Sequence, residues 1–421
     1  MGLETVSIIV LVAMFVIGTW RDVNMGLLGF VAAFAFGTLG LGLGVKDALA
    51  GFPVDLFVTL VGLTYLFGFA QNNGAIDVLV HWCVRLVRGR VVLAPWIFFF
   101  LTAALIAFGA LFAVAIIAPL ALTFARRNGL NTFMTGLLVV HGALAGAFSP
   151  ISVYGIFIND FLIKSGFESS PSTLFVAPFV FNLIFAAVVW LVMHKRPGPV
   201  PAGGENSALA SATAADIPTK EKLTGFQILT LIGLAAMAVA VIGFGANIGI
   251  VSISVGIVLA MIDPKAGRAA LSKVSWSVVV LITGVLSYIY ILEKAGTVGW
   301  VSNAVMSLGA PLIAALLLFY IAGLVSALAS SLGIIGVVIG LAVPFLASGE
   351  VHVAGFVAAL AISATIVDIS PFSTNGAMLL ANVDASVRDT YYRQMLGYAG
   401  LMCAIGPGLA WLVAALPTWL S

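Results

Sequence analysis

The chain has 421 residues, of which 62% are hydrophobic and only 8% are charged, and its net charge is +2. A soluble domain carries about 25% charged residues, so this composition excludes an ordinary soluble protein. It predicts an all-α polytopic membrane protein. The basic residues are scattered over the loops instead of forming one cluster, which argues against nucleic acid as a partner.

Apolar windows of about 17–25 residues predict the membrane-spanning helices. In chain order, the windows are 4–20, 25–44, 54–72, 132–164, 172–194, 226–243, 246–262, 275–293, 353–383 and 392–417. The windows 132–164 and 353–383 each have a proline near the middle. Because proline removes a backbone donor and clashes with the preceding turn, both are expected to be broken helices.

Two further apolar segments, 92–125 and 310–348, are too long for one span. The first has a break at Phe108-Gly109-Ala110 and the second at Ser330-Ser331-Leu332-Gly333. Each is therefore predicted to be a re-entrant helical hairpin that enters and leaves the membrane on one side.

Residues 197–222 are rich in Pro, Gly, Ala and Ser and indicate a flexible linker between residues 1–196 and 223–421. The two halves align with each other. Gly62 aligns with Gly284, and Gly74 with Gly296, at an offset of 222. Each half has five full crossings, and an odd number makes the second half enter from the opposite side. The pattern predicts two inverted repeats.

The basic residues predict the orientation. If both termini lie outside, 15 of the 18 basic residues fall inside, together with the linker. The three outside are Lys46, Lys164 and Lys294. Because Lys and Arg are enriched in cytoplasmic loops, we expect a plasma (cell inner) membrane protein with a cytoplasmic linker.

A short motif occurs in both broken helices. Ser149-Pro150-Ile151-Ser152 interrupts the first, and Ser370-Pro371-Phe372-Ser373-Thr374-Asn375 interrupts the second, 221 residues later. A helix that stops and restarts presents free N–H groups and a positive dipole end, which favour an anion. The exposed carbonyls would suit Na⁺. The alternative is a proline kink whose hydroxyls only satisfy the backbone.

Asp368 is the most unusual single residue, because it lies far from either loop of its span. An intramembrane carboxylate is costly and marks a functional site by default. Its repeat counterpart is Ala147, so the halves differ here. Asp368 would hold a cation or carry a proton; the alternative is a structural carboxylate bonded to the backbone at the break.

The chain carries no HExxH, GxSxG or Walker motif, so the sequence does not suggest an enzyme. It also predicts no cofactor. No arginine lies in the interior of a predicted span, since Arg393 is only the second residue of the window 392–417, so an anionic substrate would be held by hydroxyls, amides, dipoles and bound cations. This favours symport with Na⁺ or H⁺, because a bound cation offsets the desolvated charge.

With its two hairpins, its two broken helices and the segment Leu292-Glu293-Lys294-Ala295-Gly296, the chain resembles the ion-transporter superfamily that includes the divalent-anion:sodium symporters. In size and in its Ser-Pro breaks it is similar to the MatC-type malonate and dicarboxylate carriers. The resemblance implies a homodimer and an elevator mechanism with a scaffold and a moving transport domain. The family places a Ser-Asn-Thr motif at each hairpin tip, whereas here only tip 2 has hydroxyls, at Ser330-Ser331.

The sequence thus predicts a secondary active transporter of a small dicarboxylate (the malonate, succinate and malate class), coupled to Na⁺ or H⁺. The expected substrate ligands are Ser149, Ser152, Ser373, Thr374 and Asn375. The expected cation ligands are Asp368, Ser370, Asn375 and Ser330. Two alternatives stay open. One is a Na⁺/H⁺ antiporter or inorganic oxyanion exporter of the same architecture. The other is a passive channel, which is disfavoured because hairpins that close on broken helices would form an occluded site instead of a pore.

Overall fold

The structure, a computed structural model, describes residues 2–21, 23–76, 78, 91–195, 223–297, 299–300, 303, 311–327, 331–347 and 351–412. These residues form helices joined by turns, and no strand occurs among them. The linker 197–222 and Ser330 lie outside the described residues.

The helices of the first half are α1 (Leu3–Arg21), α2 (Met25–Ala35), α3 (Val45–Ala48), α4 (Val54–Asn72), α5 (Ala94–Ala107), α6 (Ala113–Arg127), α7 (Thr132–Gly146), α8 (Val153–Lys164) and α9 (Pro171–Met193). Those of the second half are α10 (Gly225–Phe244), α11 (Ile248–Ile262), α12 (Pro264–Ser272), α13 (Trp276–Lys294), α14 (Pro311–Ser326), α15 (Ser331–Ala347), α16 (Val353–Thr365), α17 (Thr374–Ala381) and α18 (Arg388–Ala410).

Polar residues at the helix starts explain where several helices begin. The Asn131 side chain accepts from the Met134 N–H at 3.0 Å, and Asn247 caps α11 in the same way. Thr224 and Gln227 form a capping box at the start of α10. Such caps satisfy backbone donors that a helix start leaves without an intrahelical partner.

Three helices among the described residues are long and apolar enough to cross a membrane: α4, α9 and α13. Shorter apolar helices accompany them, including α7, α11 and α16. This confirms an all-α membrane protein. The ten crossings and their orientation stay predictions.

Two predicted spans differ from the observed helices at their ends. The window 25–44 contains α2, followed by a wider π-helical turn at Phe36–Gly40, and Gly42 then takes a φ of +65°. Because glycine destabilises a helix, the glycine-rich end of this window leaves the regular α-helix before the predicted boundary at residue 44. The last helix begins at Arg388, before the predicted 392, because a hydropathy window excludes its polar first turn.

The segment of the first predicted hairpin holds two packed helices, α5 and α6, joined at residues 108–112, and its re-entrant course in the membrane stays a prediction. Gly109, at the turn, has a φ of +104°, a backbone conformation that favours glycine. In the second hairpin α14 ends at Ser326 and α15 already begins at Ser331. The interruption therefore precedes Leu332-Gly333, which lie in the helix.

The contacts between helices divide them into two groups. In one, α2 crosses α13 and α4 crosses α11. A Cβ on Gly284 would lie 1.9 Å from the Gly26 carbonyl oxygen, and a Cβ on Gly62 would lie 2.6 Å from that of Gly249. Glycines allow such close approach between membrane helices. The other group contains both hairpins and both broken helices, since α7 packs on α5, α6 and α9, and α16 on α9, α14, α15 and α18.

Each hairpin also contacts the first group of helices, at the residue that follows a glycine of a helix crossing. A Cβ on Gly109 would lie 2.7 Å from the side chain of Leu63, the residue after Gly62. A Cβ on Gly336 of α15 would lie 3.2 Å from the side chain of Val285, the residue after Gly284. The hairpins thus meet corresponding places on α4 and α13.

Candidate functional site

The first helix break runs from the end of α7 at Gly146 to the start of α8 at Val153. Ser152 is the N-cap of α8: its Oγ accepts from the Gly155 N–H at 3.1 Å. The same hydroxyl lies within hydrogen-bonding distance of the carbonyl oxygens of Ala147 and Ser149. The hydroxyl of Ser152 is therefore engaged by the backbone.

The second break has the same construction. Ser373 is the N-cap of α17, and its Oγ accepts from the Gly376 N–H at 3.3 Å. The Ser373 hydroxyl donates to the Ser370 carbonyl oxygen at 2.7 Å, and the Ser373 N–H donates to the same oxygen at 3.0 Å. The two Ser-Pro motifs therefore fold into matching turns in which the second serine caps the restarted helix.

A glycine completes each turn, and the sequence analysis assigned it no role. A Cβ on Gly155 would lie 2.0 Å from the Ser149 carbonyl oxygen, and one on Gly376 would lie 1.9 Å from that of Ser370. No side chain fits there without moving the backbone. The signal was present in the sequence, because the pattern Ser-Pro-x-Ser-x-x-Gly occurs in both breaks.

Asp368 lies in the second break and is only 1% exposed. The Asn375 Nδ2 donates to Asp368 Oδ2 at 2.8 Å, and the Asn375 backbone N lies 3.5 Å from Oδ1. Two of the predicted cation ligands are thus in contact. The carboxylate also faces the first turn of α17, where a negative charge is favourable.

Tyr154, which the sequence analysis did not select, stands in the first break at the position that corresponds to Asn375 in the second. It lies in the first turn of α8 and is half-buried. Its ring packs against Phe148 with centroids 5.5 Å apart. The first break thus has a tyrosine where the second break has the asparagine that donates to Asp368.

The other predicted site residues differ in their exposure to solvent. Thr374 and Asn375 are half-buried, whereas Ser149 and Ser370 are buried. The Ser149 and Ser370 hydroxyls accept only long bonds, from the Ile151 and Phe372 N–H groups at 3.4 and 3.3 Å. Among the predicted ligands that the structure describes, Thr374 and Asn375 are thus the most accessible.

His141 belongs to a separate buried cluster. Its Nδ1 lies 2.9 Å from Asn182 Oδ1 on α9, and its Nε2 lies 2.7 Å from the Tyr398 hydroxyl on α18. The Asn182 amide donates to the Pro178 carbonyl oxygen, which leaves its Oδ1 to accept from His141. Both ring nitrogens have partners, as expected of a satisfied core histidine.

A cavity of about 460 Å³ opens between α4, α8, α13 and α15. Its charged lining includes Asp55, Asp160, Lys164 and Glu293. Lys164 Nζ lies 2.9 Å from Asp160 Oδ2 and 3.6 Å from Asp55 Oδ2. The cavity is lined by helices of both groups and includes Lys164, which the sequence predicts to lie outside.

An ion pair joins the first hairpin to the loop after α17. Arg126 donates to Asp384 Oδ2 at 2.8 Å. The backbone N–H and hydroxyl of Ser386 donate to Asp384 Oδ1, and together with Arg126 they lower the pKa of the Asp384 carboxyl. The hairpin end and the second broken helix are thereby held together.

The helical fold and the paired breaks define an integral membrane protein whose polar residues gather where two helices are interrupted. Residues 1–147 match the family model described as dicarboxylate carrier protein MatC N-terminus. The match runs from α1 to Ala147, directly before the first Ser-Pro motif. A search of curated proteins found no match to the chain.

Proposed function

We propose that the protein is a secondary active transporter of a small dicarboxylate of the malonate, succinate and malate class, coupled to Na⁺ or H⁺. The observation that carries the proposal is the match of residues 1–147 to the dicarboxylate carrier MatC family. The absence of catalytic motifs from the sequence agrees with a carrier instead of an enzyme.

The substrate would bind between the two breaks. Thr374 and Asn375 are half-buried at the start of α17, so they are the most direct ligands. Ser149 would add a hydroxyl from the first break. Ser152 and Ser373 would shape the site by holding the turns, because their hydroxyls donate to backbone carbonyls.

The coupling ion would bind at the second break. Asp368 is buried and holds Asn375, and Ser370 follows two residues later. Ser330 would contribute from the tip of the second hairpin. A cation here would offset the charge of a dicarboxylate brought out of water.

The movement would follow an elevator scheme with inverted repeats. Supporting it, the element order of α1–α9 recurs in α10–α18, and the hairpins and broken helices form one packing group. That group would be the transport domain, and the group containing the α2–α13 and α4–α11 crossings would be the scaffold and homodimer interface. In the plasma membrane, both termini would lie outside and the linker inside.

Ligand-induced stabilisation of the purified protein tests this proposal. We expect malonate or succinate to raise the melting temperature in detergent, and to do so more in NaCl, or at lower pH, than in KCl at neutral pH. The matched monocarboxylates acetate and propionate should have a smaller effect. No stabilisation by any dicarboxylate under any of these conditions would contradict the proposal.

A second candidate is a Na⁺/H⁺ antiporter, or an inorganic oxyanion exporter, of the same architecture. The burial of Asp368 in the second break favours the antiporter, since a buried carboxylate can carry a proton. In that case Na⁺ would drive proton movement without any dicarboxylate, and Asp368→Asn would abolish it.

A further inference from the structure

The short helix α12 joins two apolar helices, α11 and α13. Its nine residues are too few to cross a bilayer, so it would lie at a membrane face. Ala270 is fully buried, and a Cβ on Gly68 of α4 would lie 2.7 Å from the Ala270 carbonyl oxygen. Asp263 caps the helix by accepting from the Lys265 and Ala266 N–H groups. The first group of helices therefore holds α12 in a fixed place.

The side of α12 that faces away from α4 is basic. Lys265 and Arg268 are three residues apart and so share one helix face, and Lys273 follows at the C-cap. All three side chains are exposed, and none forms an ion pair within the part of the chain that the structure describes. The nearby carboxylate of Asp263 is engaged by the helix start. The three cations thus remain accessible to an anionic partner.

Apolar side chains border these cations. Leu271 and Trp276 are both exposed, and so are Met261 and Ile262 at the end of α11. Exposed apolar side chains beside basic ones are typical of a helix that lies in the membrane interface, and tryptophan favours the level of the headgroups. The α12 surface, defined by Lys265, Arg268, Leu271, Lys273 and Trp276, therefore offers cations for a headgroup and apolar contacts for an acyl chain.

The first half of the chain provides an internal comparison, because α3 corresponds to α12 at the offset of 222. Ala48 of α3 is fully buried, like its counterpart Ala270. However, α3 carries a single cation, Lys46, next to Asp47. In the proposed inverted arrangement the two helices lie on opposite faces, and α12 lies on the cytoplasmic one. The element is therefore strongly basic only on the side where the leaflet is anionic.

We propose that the α12 surface binds an anionic phospholipid of the cytoplasmic leaflet, whose phosphate would accept from Lys265, Arg268 and Lys273. Arginine and lysine form charge-assisted hydrogen bonds with phosphate oxygens. Leu271 and Trp276 would contact the acyl chain. The inference concerns a ligand other than the transported substrate, and it rests on the proposed orientation. A bound lipid would stabilise the fold where α11, α12 and α4 meet.

The test is thermal unfolding of the full-length protein in neutral detergent micelles that contain increasing amounts of phosphatidylglycerol. We expect this lipid to raise the melting temperature. The variant Lys265→Gln/Arg268→Gln/Lys273→Gln should need at least about ten-fold more lipid for half of the effect, because each basic residue adds to the attraction. Phosphatidylcholine should act weakly and equally on both proteins. An unchanged response of the triple variant would overturn the proposal.

Soluble glycerol phosphate tests whether a lipid or a free phosphate is the ligand. It has the headgroup chemistry without an acyl chain, so we expect little stabilisation. Stabilisation equal to that by phosphatidylglycerol would overturn the assignment to a lipid.

Lys46→Gln is the matched control for Arg268→Gln, because each removes one exposed cation from corresponding places in the two halves. Lys46→Gln should respond to phosphatidylglycerol as wild type does, and Arg268→Gln should need about five-fold more lipid. This pair also decides the question if the triple variant fails to fold. Equal responses of the two single variants would contradict the α12 surface as the lipid site.

Discussion

Asn375 donates from its side-chain amide to the carboxylate of Asp368, seven residues earlier in the chain, at 2.8 Å within the second broken helix. The first break has no such bond, because Ala147 and Tyr154 stand at the corresponding positions. The two turns therefore share a backbone construction and differ in charge. We assign the coupling cation to the second break on this difference.

Asp368→Asn should uncouple transport from the ion gradient. The substitution keeps an oxygen that can accept from Asn375 but removes the negative charge, so the turn should persist while cation or proton binding is lost. We expect gradient-driven dicarboxylate uptake to fall at least about ten-fold, which corresponds to about 1.4 kcal/mol of lost coupling. The measurement is uptake with and without a Na⁺ gradient and a pH gradient.

Asp389→Asn is the control for that change of charge. Asp389 is exposed in the first turn of α18, so its replacement should leave gradient dependence intact. Normal gradient-driven uptake by Asp368→Asn would exclude Asp368 as the coupling site.

Gly376→Ala should destabilise the protein strongly. The added methyl group would lie 1.9 Å from the Ser370 carbonyl oxygen, and a backbone atom cannot move aside cheaply. We expect a loss of about 2–4 kcal/mol, typical of overpacking against backbone, measured by thermal unfolding in detergent. Gly155→Ala should destabilise the protein in the same way, because its methyl group would lie 2.0 Å from the Ser149 carbonyl oxygen.

Gly397→Ala is the matched control in α18, where an added Cβ meets nothing within 4 Å. It should be neutral or slightly stabilising, since alanine favours helix by about 0.5–1 kcal/mol. Equal tolerance of alanine at positions 376 and 397 would mean that the second turn does not have the described geometry.

Ser373→Ala should cost about 1–2 kcal/mol through loss of the helix cap. The Ser373 hydroxyl accepts from the Gly376 N–H and donates to the Ser370 carbonyl oxygen, and alanine can do neither. Ser373→Thr keeps the hydroxyl and should retain most of the stability and of the transport. Thermal unfolding and uptake, measured together, check this; a threonine variant as unstable as the alanine variant would argue against the cap.

Asp384→Asn should give a stability difference that depends on pH. The folded-state pKa of Asp384 lies below its ordinary value of 3.8, chiefly because Ser386 donates to the carboxylate. The stabilisation is therefore present above about pH 4 and is lost as the pH falls through the folded-state pKa. Melting temperatures of wild type and variant should differ at pH 7 and converge at low pH, whereas a constant difference would contradict this.

Much of the fold could be predicted from apolar windows. The window 54–72 coincides with α4, and 275–293 is within one residue of α13, because long apolar helices leave a strong signal. Interruptions rich in glycine or serine were harder to locate from the sequence. In the second predicted hairpin Leu332 and Gly333 lie inside α15, since a small residue is tolerated inside a packed helix and does not by itself end it.

The site could be predicted only in part. The Ser-Pro repeats located both breaks, and Asp368 was recognised because a carboxylate in an apolar segment is rare. Tyr154 was missed because a tyrosine in an apolar helix resembles ordinary core. Its correspondence to Asn375 becomes evident once the two turns are seen to share one backbone construction.

The most direct test of the central proposal is uptake of labelled malonate and succinate by the purified protein in proteoliposomes, with and without an inward Na⁺ or H⁺ gradient. We predict saturable uptake that one of the two gradients accelerates. Absence of dicarboxylate uptake under every gradient would contradict the transport function, and saturable uptake indifferent to both gradients would contradict symport.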